Sequence, residues 1–309
     1  MLEVVNINKS FNNKNVLKDI TFQINDGEVL GIIGKNGAGK TTLMNIISQV
    51  ITADSGKVII NGKVINTMNE LAGTLGYILD IPASFEYLTA YEYLDFLMSA
   101  RNNIKEEKNN RINEVLNLVN LANDKNKKIH SFSRGMKQRL GIAGGLIIDP
   151  AIIIMDEPSS ALDPEGRKEV LEIIEHLRTK GKSIMLSTHI LNDVERVCDK
   201  IAILVNGEIK VIGETNQILS KYSNDLIIIE CTKDDSLNIK KSLEKCASVL
   251  KVNELQVGLE VFYKEGSSQD IFIIASKVGK NVSSISIKRM NLEEIFMIES
   301  GIKEEKLNA

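Results

Sequence analysis

The sequence predicts an α/β fold in two parts, and three observations lead to this prediction. A glycine-rich segment, 34–41, lies between an apolar run, 29–33, and a segment whose apolar residues have helical spacing. Two further apolar runs, 152–155 and 183–186, flank a helix-forming segment, which is the βαβ order of a parallel sheet. A different order of elements then begins after residue 224, which indicates a second, smaller domain.

The first part should also contain antiparallel strands and extra helices. Residues 1 to about 28 alternate between apolar and polar side chains, as antiparallel strands do. Asn61-Gly62 lies between two apolar runs and predicts a hairpin over 57–65, because Asn-Gly favours the tight turns that join antiparallel strands. From about 85 to 148 the pattern is helical. We therefore expect an antiparallel β layer and a helical insertion beside the parallel sheet.

The end of the chain predicts a small α+β domain. Its expected order is βαββαβα, the ferredoxin-like arrangement with one added helix. The predicted strands are 226–231, 247–254, 257–263 and 282–288, and the predicted helices are 236–246, 268–278 and 291–300. We accordingly predict a first domain over residues 1–222 and an accessory domain over 223–309.

Composition and charge exclude several classes of protein. The chain has 309 residues, enough for about two domains, and its 43% hydrophobic and 26% charged residues are typical of globular proteins. The net charge of −3 argues against broad nucleic-acid binding, so no nucleic-acid partner is expected. Three cysteines without a CxxC pair indicate neither a disulfide framework nor a zinc site. No apolar stretch reaches the ~18 residues that a membrane-spanning helix needs.

The segment Gly34-Lys35-Asn36-Gly37-Ala38-Gly39-Lys40-Thr41 is a phosphate-binding loop, or P-loop. Its glycines let backbone N–H groups close around a phosphate chain, and the helix N-terminus adds partial positive charge. Lys40 is expected to reach the β- and γ-phosphates, and the Thr41 hydroxyl to ligate Mg²⁺. The candidate nucleotide-binding residues of this segment are Gly34, Asn36, Gly37, Ala38, Gly39, Lys40, Thr41 and Thr42.

The apolar run 152–155 ends in two carboxylates, Asp156 and Glu157. A buried strand with this ending would bring Asp156 beside Mg²⁺ and place Glu157 to orient or deprotonate an attacking water. The alternative is a core strand that meets a solvated acidic turn. The P-loop earlier in the chain favours the catalytic interpretation.

Three more motifs surround this pair, namely Phe132-Ser133-Arg134-Gly135-Met136, Leu162-Asp163 and Ser187-Thr188-His189. The order of all five motifs, over residues 1 to about 220, resembles the ATP-binding-cassette (ABC) ATPases. The resemblance implies a P-loop NTPase with a RecA-like core, and ATP and Mg²⁺ as cofactors. Arg134 and Met136 depart from the family's usual Leu-Ser-Gly-Gly-Gln, and similar spellings occur in the branch that serves ABC-2-type exporters.

The same resemblance implies roles for several residues. Ser133 and the Gly135 backbone would bind the γ-phosphate of ATP held by an opposite subunit, with a helix opening at about Lys137. The pair 162–163 matches the loop expected to link the halves of a dimer. His189 matches the histidine that contacts the γ-phosphate.

Two matches leave alternatives open. Phe11 matches the aromatic residue that stacks on adenine, and the alternative is a core phenylalanine in an alternating strand. Asp80 stands where the family has a glutamine that approaches Mg²⁺. It either contacts the metal through a carboxylate oxygen or belongs to a loop that only couples to the partner.

These residues and the resemblance predict a Mg²⁺-dependent ATPase subunit of an ABC exporter for a drug, peptide or antibiotic. The expected protein is cytoplasmic, held at the inner face of the membrane by separate integral-membrane permease subunits. It would form a homodimer, or a heterodimer with a related ATPase. The alternatives are a soluble ABC ATPase acting on DNA or ribosomes and a nucleotide-sensing module. The aromatic-rich segment 80–93 is the predicted docking site for the permease.

Overall fold

The computed structural model describes residues 1–79, 85–99, 105–160, 162–222, 226–264, 266–288 and 291–300. Contacts between residues divide the chain into a first unit, Met1–Thr215 together with Glu299 at the end of the last helix, and a second, Asn216–Ile298. The division falls at the start of the helix Thr215–Tyr222, whereas the sequence suggested a boundary at the end of that helix.

The first unit contains the predicted hairpin, helical insertion and βαβ pair. In chain order its elements are β1 (Leu2–Phe11), β2 (Lys14–Ile24), β3 (Val29–Ile33), α1 (Lys40–Ile47), β4 (Ser55–Ile60), β5 (Lys63–Ile65), β6 (Leu75–Ile78), α2 (Ala90–Ser99), α3 (Lys105–Leu118), α4 (Arg134–Leu146), β7 (Ile152–Asp156), α5 (Pro164–Thr179), β8 (Ser183–Thr188), α6 (Leu191–Val197), β9 (Lys200–Val205) and β10 (Glu208–Glu214). The predicted α/β fold is therefore confirmed for this unit.

A six-stranded sheet with the order β10-β9-β3-β8-β7-β6 forms the centre of this unit. All neighbours from β9 to β6 pair in parallel, and only β10 runs antiparallel to its neighbour. Every residue of β3, β7 and β8 is buried, as expected for parallel strands with continuous apolar sequences. Because these three strands are adjacent and parallel, the residues that follow them meet at one edge of the sheet.

The antiparallel layer is a four-stranded sheet with the order β2-β1-β4-β5. Asn61 and Gly62 connect β4 to β5 with φ angles of 49° and 78°, as a type I′ turn requires. Leu2, Val4 and Ile7 of this layer share one hydrophobic core with residues of α1 and of the central sheet. This layer therefore packs beside the P-loop helix, as predicted.

Helix α4 lies unusually close to strand β6, because glycine stands on both sides of the contact. A β-carbon on Gly76 would lie 2.3 Å from the carbonyl oxygen of Gly145, and one on Gly145 would lie 2.4 Å from Ile78 Cγ1. A side chain at either position would force the two elements apart. Helix α4, which begins within the motif Phe132-Ser133-Arg134-Gly135-Met136, is thus held directly against the central sheet.

The second unit contains α7 (Thr215–Tyr222), β11 (Leu226–Cys231), α8 (Lys233–Leu243), β12 (Val249–Leu255), β13 (Gly258–Tyr263), α9 (Ser268–Val278), β14 (Val282–Ile287) and α10 (Leu292–Glu299). Its strands form an antiparallel sheet with the order β12-β13-β11-β14, which is the strand order of a split βαβ arrangement. Buried side chains between 227 and 275 give this unit a hydrophobic core of its own. Within the described parts of the chain, no helix combines the length and apolar character needed to cross a bilayer.

Candidate nucleotide-binding and catalytic site

The P-loop joins the end of β3 to the start of α1, and glycine fixes its shape. Gly37 and Gly39 have φ angles of 81° and 110°, in the left-handed region that residues with a β-carbon avoid. A β-carbon on Gly39 would also lie 2.8 Å from Leu17 Cδ2. Helix α1 begins at Lys40, and the first N–H groups of a helix have no partner within it, so they suit an anion.

The remaining P-loop candidates differ in exposure. Gly34 and Ala38 are buried, Thr42 is half-buried, and Asn36 and Thr41 are exposed to solvent. The exposed Thr41 lies in the first turn of α1, directly after Lys40. Its hydroxyl is therefore placed where a ligand held by the loop could be reached.

Lys40 belongs to a cluster of charged and titratable groups. Its ammonium group donates a hydrogen bond to the carbonyl oxygen of Gly34 (2.7 Å) and lies 3.3 Å from Glu157 Oε1. The second carboxylate oxygen of Glu157, Oε2, is 2.9 Å from His189 Nδ1. The structure thus brings together residues predicted from three separate motifs. They meet because the start of α1 and the carboxyl ends of β7 and β8 lie at the same edge of the sheet.

Solvent exposure increases across this cluster. The Lys40 side chain is 6% exposed, that of Glu157 is 13% exposed and that of His189 is 51% exposed. A buried ammonium and a largely buried carboxylate need each other's charge, since an unpaired buried charge is costly. His189 is the member that a group arriving from outside would meet first.

Glu157 has a strained backbone conformation. Its φ angle of 49° lies in the left-handed region, which is uncommon for residues other than glycine and recurs at functional sites. The Glu157 N–H donates to the carbonyl oxygen of Ser187 (3.2 Å) and to its hydroxyl oxygen Oγ (3.0 Å). Two hydrogen bonds from the Glu157 N–H to one residue of the adjacent strand therefore hold this conformation.

Asp156, the last residue of β7, is buried and points one carboxylate oxygen at the neighbouring strand. Its Oδ1 accepts a hydrogen bond of 2.6 Å from the Ser187 hydroxyl. A carboxylate and the Thr41 hydroxyl are hard oxygen ligands of the type that Mg²⁺ prefers. The described residues contain no group of three or more His, Cys, Asp or Glu that could hold a metal, and Mg²⁺ commonly combines one carboxylate with substrate phosphates. Asp80, the other predicted ligand, lies outside the described residues.

The motif Phe132-Ser133-Arg134-Gly135-Met136 lies at the start of α4, where Ser133 caps the helix. Its hydroxyl oxygen accepts a hydrogen bond from the Met136 N–H (3.2 Å), so the helix begins at Arg134. The expected start at about Lys137 was therefore wrong by most of a turn. This cap satisfies an N–H group of the first turn.

Ser133 and Gly135 line a cleft between the starts of α4 and α5, with a volume of about 520 Å³. The residues that line this cleft are Ser133, Arg134, Gly135, Arg139, Leu162, Asp163, Glu165, Gly166 and Glu169. Asp163 caps α5 by accepting a hydrogen bond from the Gly166 N–H (3.0 Å). None of the P-loop residues lines this cleft, so within one chain the two candidate phosphate-binding surfaces remain separate.

Phe11 is the last residue of β1, and its side chain is 46% exposed. The Lys9 ammonium lies 5.2 Å from the centre of the Phe11 ring and pairs with Asp54 at 2.7 Å. The alternative that Phe11 is a core residue is therefore wrong. Stacking on adenine remains a prediction, which the exposure of the ring permits.

Sequence reasoning missed a buried polar network behind the cluster. Asp193 of α6 accepts hydrogen bonds from the Ser159 hydroxyl (2.8 Å) and from Arg167 Nη2 (2.7 Å). Ser159 lies two residues after Glu157, and Arg167 lies on α5. The network therefore connects the segment after β7 and helix α5 to helix α6, which begins two residues after His189. Asp193 lies in the first turn of α6, where acidic residues are common because they favour the helix N-terminus. The neighbouring sequence therefore did not indicate that its side chain is buried.

A second link that the sequence did not reveal connects β6 to the P-loop helix. The Tyr77 hydroxyl donates a hydrogen bond to Asn45 Oδ1 (3.0 Å) on α1. Burial, together with the nearby charge of Asp156, raises the pKa of Tyr77 well above its usual range. Tyr77 therefore stays protonated and keeps this donor at every pH at which the protein would be studied.

Comparison with known proteins identifies the family. The ABC transporter family matches residues 17–160. An uncharacterized ABC transporter ATP-binding protein of Synechocystis is 34% identical over 283 residues, which are 91% of this chain and 77% of that protein. The linearmycin resistance ATP-binding protein LnrL of Bacillus subtilis is 31% identical over 306 residues, 97% of this chain and 98% of that protein. The chain therefore belongs to the ABC transporter ATP-binding proteins.

Solved structures agree with this assignment. An ATP-binding subunit of an ABC transporter is 33% identical and has a TM-score of 0.64, and the match covers 72% of this chain and 93% of that one. A dimeric ATP-binding cassette in a post-hydrolysis state with ADP and Pi is 27% identical, also with a TM-score of 0.64; the match covers 69% of this chain and 98% of that one. The predicted class, an ATP-hydrolysing subunit that works with membrane permease subunits, is confirmed. The dimeric structure supports the predicted dimer.

Proposed function

We propose that this chain is the Mg²⁺-dependent ATPase of an ABC exporter, and that the residues assigned above form its catalytic site. The observation that carries the proposal is the contact of Glu157 with both Lys40 and His189. It joins the P-loop cation, the candidate base and the candidate γ-phosphate contact in one cluster. Membership of the family makes ATP the nucleotide.

Each member of the cluster has a distinct role in this proposal. The Lys40 ammonium binds the β- and γ-phosphates, and in doing so exchanges its contact with Glu157 for phosphate oxygens. The released Glu157 carboxylate then orients the attacking water and accepts its proton. His189, the most exposed member, contacts the γ-phosphate. The N–H groups of residues 34–42 surround the phosphate chain, and Phe11 stacks on the adenine ring.

Thr41 and Asp156 would hold Mg²⁺, which supplies charge neutralisation at the phosphate oxygens when it is bound. The chemistry of the two ligands fits this ion, because both present hard oxygen atoms. Asp80, which lies two residues after β6, remains a proposed third ligand, and its alternative role in coupling to a partner remains open.

The separation of the two phosphate-binding surfaces supports a shared site in the dimer. In this proposal Ser133 and Gly135 of one subunit bind the γ-phosphate of ATP held by the P-loop of the other. The second subunit is either a copy of this chain or a related ATPase. Binding of two ATP molecules would close the pair, and hydrolysis would reopen it.

The proposal is tested by single-turnover ATP hydrolysis with the purified full chain in excess over ATP. We expect ADP and phosphate to form with Mg²⁺ present and hydrolysis to stop when EDTA is added. Cleavage that proceeds at the same rate in EDTA would contradict the proposed roles of Thr41 and Asp156. Failure to cleave ATP under both conditions would contradict the proposed catalytic site itself.

Export is proposed from the likeness to the linearmycin resistance protein, which extends over nearly all of both chains. The spelling Ser133-Arg134-Gly135-Met136, typical of the ABC-2 exporter branch, supports the same direction of transport. The proposed cargo is a drug, peptide or antibiotic. The proposed location is the cytoplasmic face of the cell membrane, where the chain is held by its permease.

The permease is proposed to dock on the segment 80–93, of which residues 85–93 lie in the described part of the chain. Phe85 packs against Tyr93 and Phe96 at ring-centre distances of 5.5 and 5.8 Å, whereas the Tyr87 side chain is 88% exposed. We expect Tyr87→Ala to weaken association with the co-purified permease by about tenfold or more, because exposed aromatic residues often dominate interfaces. The measurement is a titration of the permease in detergent.

A matched control for this prediction is Met68→Ala, which removes another side chain that is more than half exposed in the same unit. Both variants should bind ATP as the wild type does. Equal permease affinity of the Tyr87 and Met68 variants would place the docking surface elsewhere. A Phe85 variant is a poorer test, since that ring also stabilises the insertion.

The second unit is proposed to be an accessory domain, because every described candidate site residue lies in the first unit and the second has its own core. We expect a chain that ends at Tyr222 to bind ATP with a Kd within about threefold of the full chain's, since a change below 1 kcal/mol is expected when no ligand contact is lost. Its dimerisation or regulation should change. A folded truncation that no longer binds ATP would show that the second unit completes the site.

A further inference from the structure

We propose that Ser187 is a positioning residue for ATP hydrolysis, which holds the carboxylate of Asp156 and the backbone of Glu157 in one arrangement. The inference rests on the proposed function, in which Asp156 binds Mg²⁺ and Glu157 is the base. Ser187 lies on β8, two residues before His189, and is completely buried. It would therefore act through its neighbours and not by touching ATP.

The hydrogen bonds of the Ser187 hydroxyl account for this role. A serine hydroxyl has one proton to donate and two lone pairs that accept. The proton goes to Asp156 Oδ1 at 2.6 Å, a distance typical of a hydroxyl bonded to an ionised carboxylate. One lone pair accepts the N–H of Glu157 at 3.0 Å. A single buried hydroxyl thus bridges the proposed metal ligand and the proposed base.

The position of Ser187 in the sheet makes this bridge rigid. Asp156 and Ser187 are register partners of adjacent parallel strands, so their separation is set by the β7–β8 ladder. The bond to Oδ1 fixes which carboxylate oxygen faces β8. Partners of metal ligands orient those ligands in this way, and their loss commonly reduces metal affinity or activity by about 10–100-fold.

The same residue holds the strained backbone of Glu157. A left-handed conformation at a glutamate persists only where its surroundings determine it, and Ser187 provides two of those contacts, through O and Oγ. The carboxylate of Glu157 reaches both Lys40 and His189 from this backbone position. Removal of the hydroxyl would remove the bond from the Glu157 N–H to Oγ and leave its bond to the Ser187 carbonyl oxygen in place.

The chain provides a matched control on the same strand. Ser183 is also buried, and its hydroxyl accepts from the Gly27 N–H (3.0 Å) and donates to the Asn25 carbonyl oxygen (3.1 Å). The two serines therefore have the same hydrogen-bonding pattern, one bond accepted and one donated. They differ in position, since Ser183 begins β8 at the edge of the sheet opposite the candidate site.

The experiment compares the full chain as wild type, Ser187→Ala and Ser183→Ala. Thermal unfolding reports the structural cost, and the Kd of a fluorescent ATP analogue is measured in EDTA and in Mg²⁺. Both variants should unfold at a lower temperature. In Ser187→Ala alone, the affinity measured with Mg²⁺ should fall by about 10–100-fold, while the Kd measured in EDTA changes little. We expect kcat of this variant to fall by a similar factor.

Equal behaviour of the two variants in Mg²⁺-dependent affinity and in kcat would overturn the inference, because Ser187 would then be structural only. If the alanine variant does not fold, Ser187→Cys fills nearly the same space with a much weaker hydrogen-bonding group and gives the same comparison. Failure of the proposed function is distinguishable, since the wild type would then show no Mg²⁺-dependent hydrolysis. In that case the inference falls with it.

Discussion

Glu157→Gln is expected to reduce kcat for ATP hydrolysis by about 100- to 10,000-fold, the range usually contributed by a general base. The amide keeps the size and shape of the carboxylate but does not accept a proton from water. ATP should still bind, and its affinity should not fall, because the variant removes the carboxylate that lies 3.3 Å from the Lys40 ammonium. We therefore expect ATP to persist and to stabilise a dimer, measurable by light scattering with Mg²⁺ and ATP.

The ion pair between Glu28 and Lys200 offers the control for this prediction. It joins Lys200 Nζ and Glu28 Oε1 at 2.7 Å, and the Glu28 side chain is 11% exposed, close to the 13% of Glu157. Glu28 precedes β3, however, and thus lies at the opposite edge of the sheet. Glu28→Gln should lower stability without slowing hydrolysis. Hydrolysis by Glu157→Gln at the wild-type rate would show that another group is the base.

Much of the fold could be predicted because its signals are local in the sequence. The P-loop needs only a strand, a run of glycines and a helix in succession, and β7 with its two carboxylates is equally contiguous. The Asn61-Gly62 hairpin is specified by two residues. Such features depend on backbone preferences of neighbouring residues, so no knowledge of strand order is required.

The arrangement of the candidate site depended on information that is not local. Lys40, Glu157 and His189 meet because β8 lies between β3 and β7, an order that the sequence does not state. The same order pairs Asp156 with Ser187, and the motif Ser187-Thr188-His189 gave no sign of this contact. Nothing in the sequence indicated the hydrogen bond between Ser159 and Asp193 either. The chemistry of individual motifs was therefore readable, but the bonds between motifs were not.

The predicted first residues of two helices were wrong, and in both cases a capping residue determines where the helix begins. Helix α4 begins at Arg134 because the Ser133 hydroxyl caps it. Helix α8 begins at Lys233 because the Thr232 hydroxyl caps it in the same way. Both starts were expected about three residues later, that of α4 from the family resemblance and that of α8 from the pattern of apolar side chains. Neither expectation used the capping residue, which in each case is a single polar side chain directly before the helix.

Lys40→Ala is expected to weaken ATP binding by about 10- to 150-fold, because a hydrogen bond to a charged group is worth about 1.5–3 kcal/mol and tenfold in Kd is 1.4 kcal/mol. The variant should differ from Glu157→Gln, which binds ATP but does not cleave it. Calorimetric titration with a non-hydrolysable ATP analogue separates the two results.

The control for this variant is Lys200→Ala, which removes the cation of the matched ion pair at the other edge of the sheet. Both lysine variants remove the ammonium partner of a largely buried carboxylate, so both should lower the unfolding temperature. Only Lys40→Ala should also lose affinity, since in the proposed site its ammonium contacts phosphate directly. An ATP affinity of Lys40→Ala equal to that of Lys200→Ala would mean that the P-loop binds phosphate through its backbone N–H groups alone.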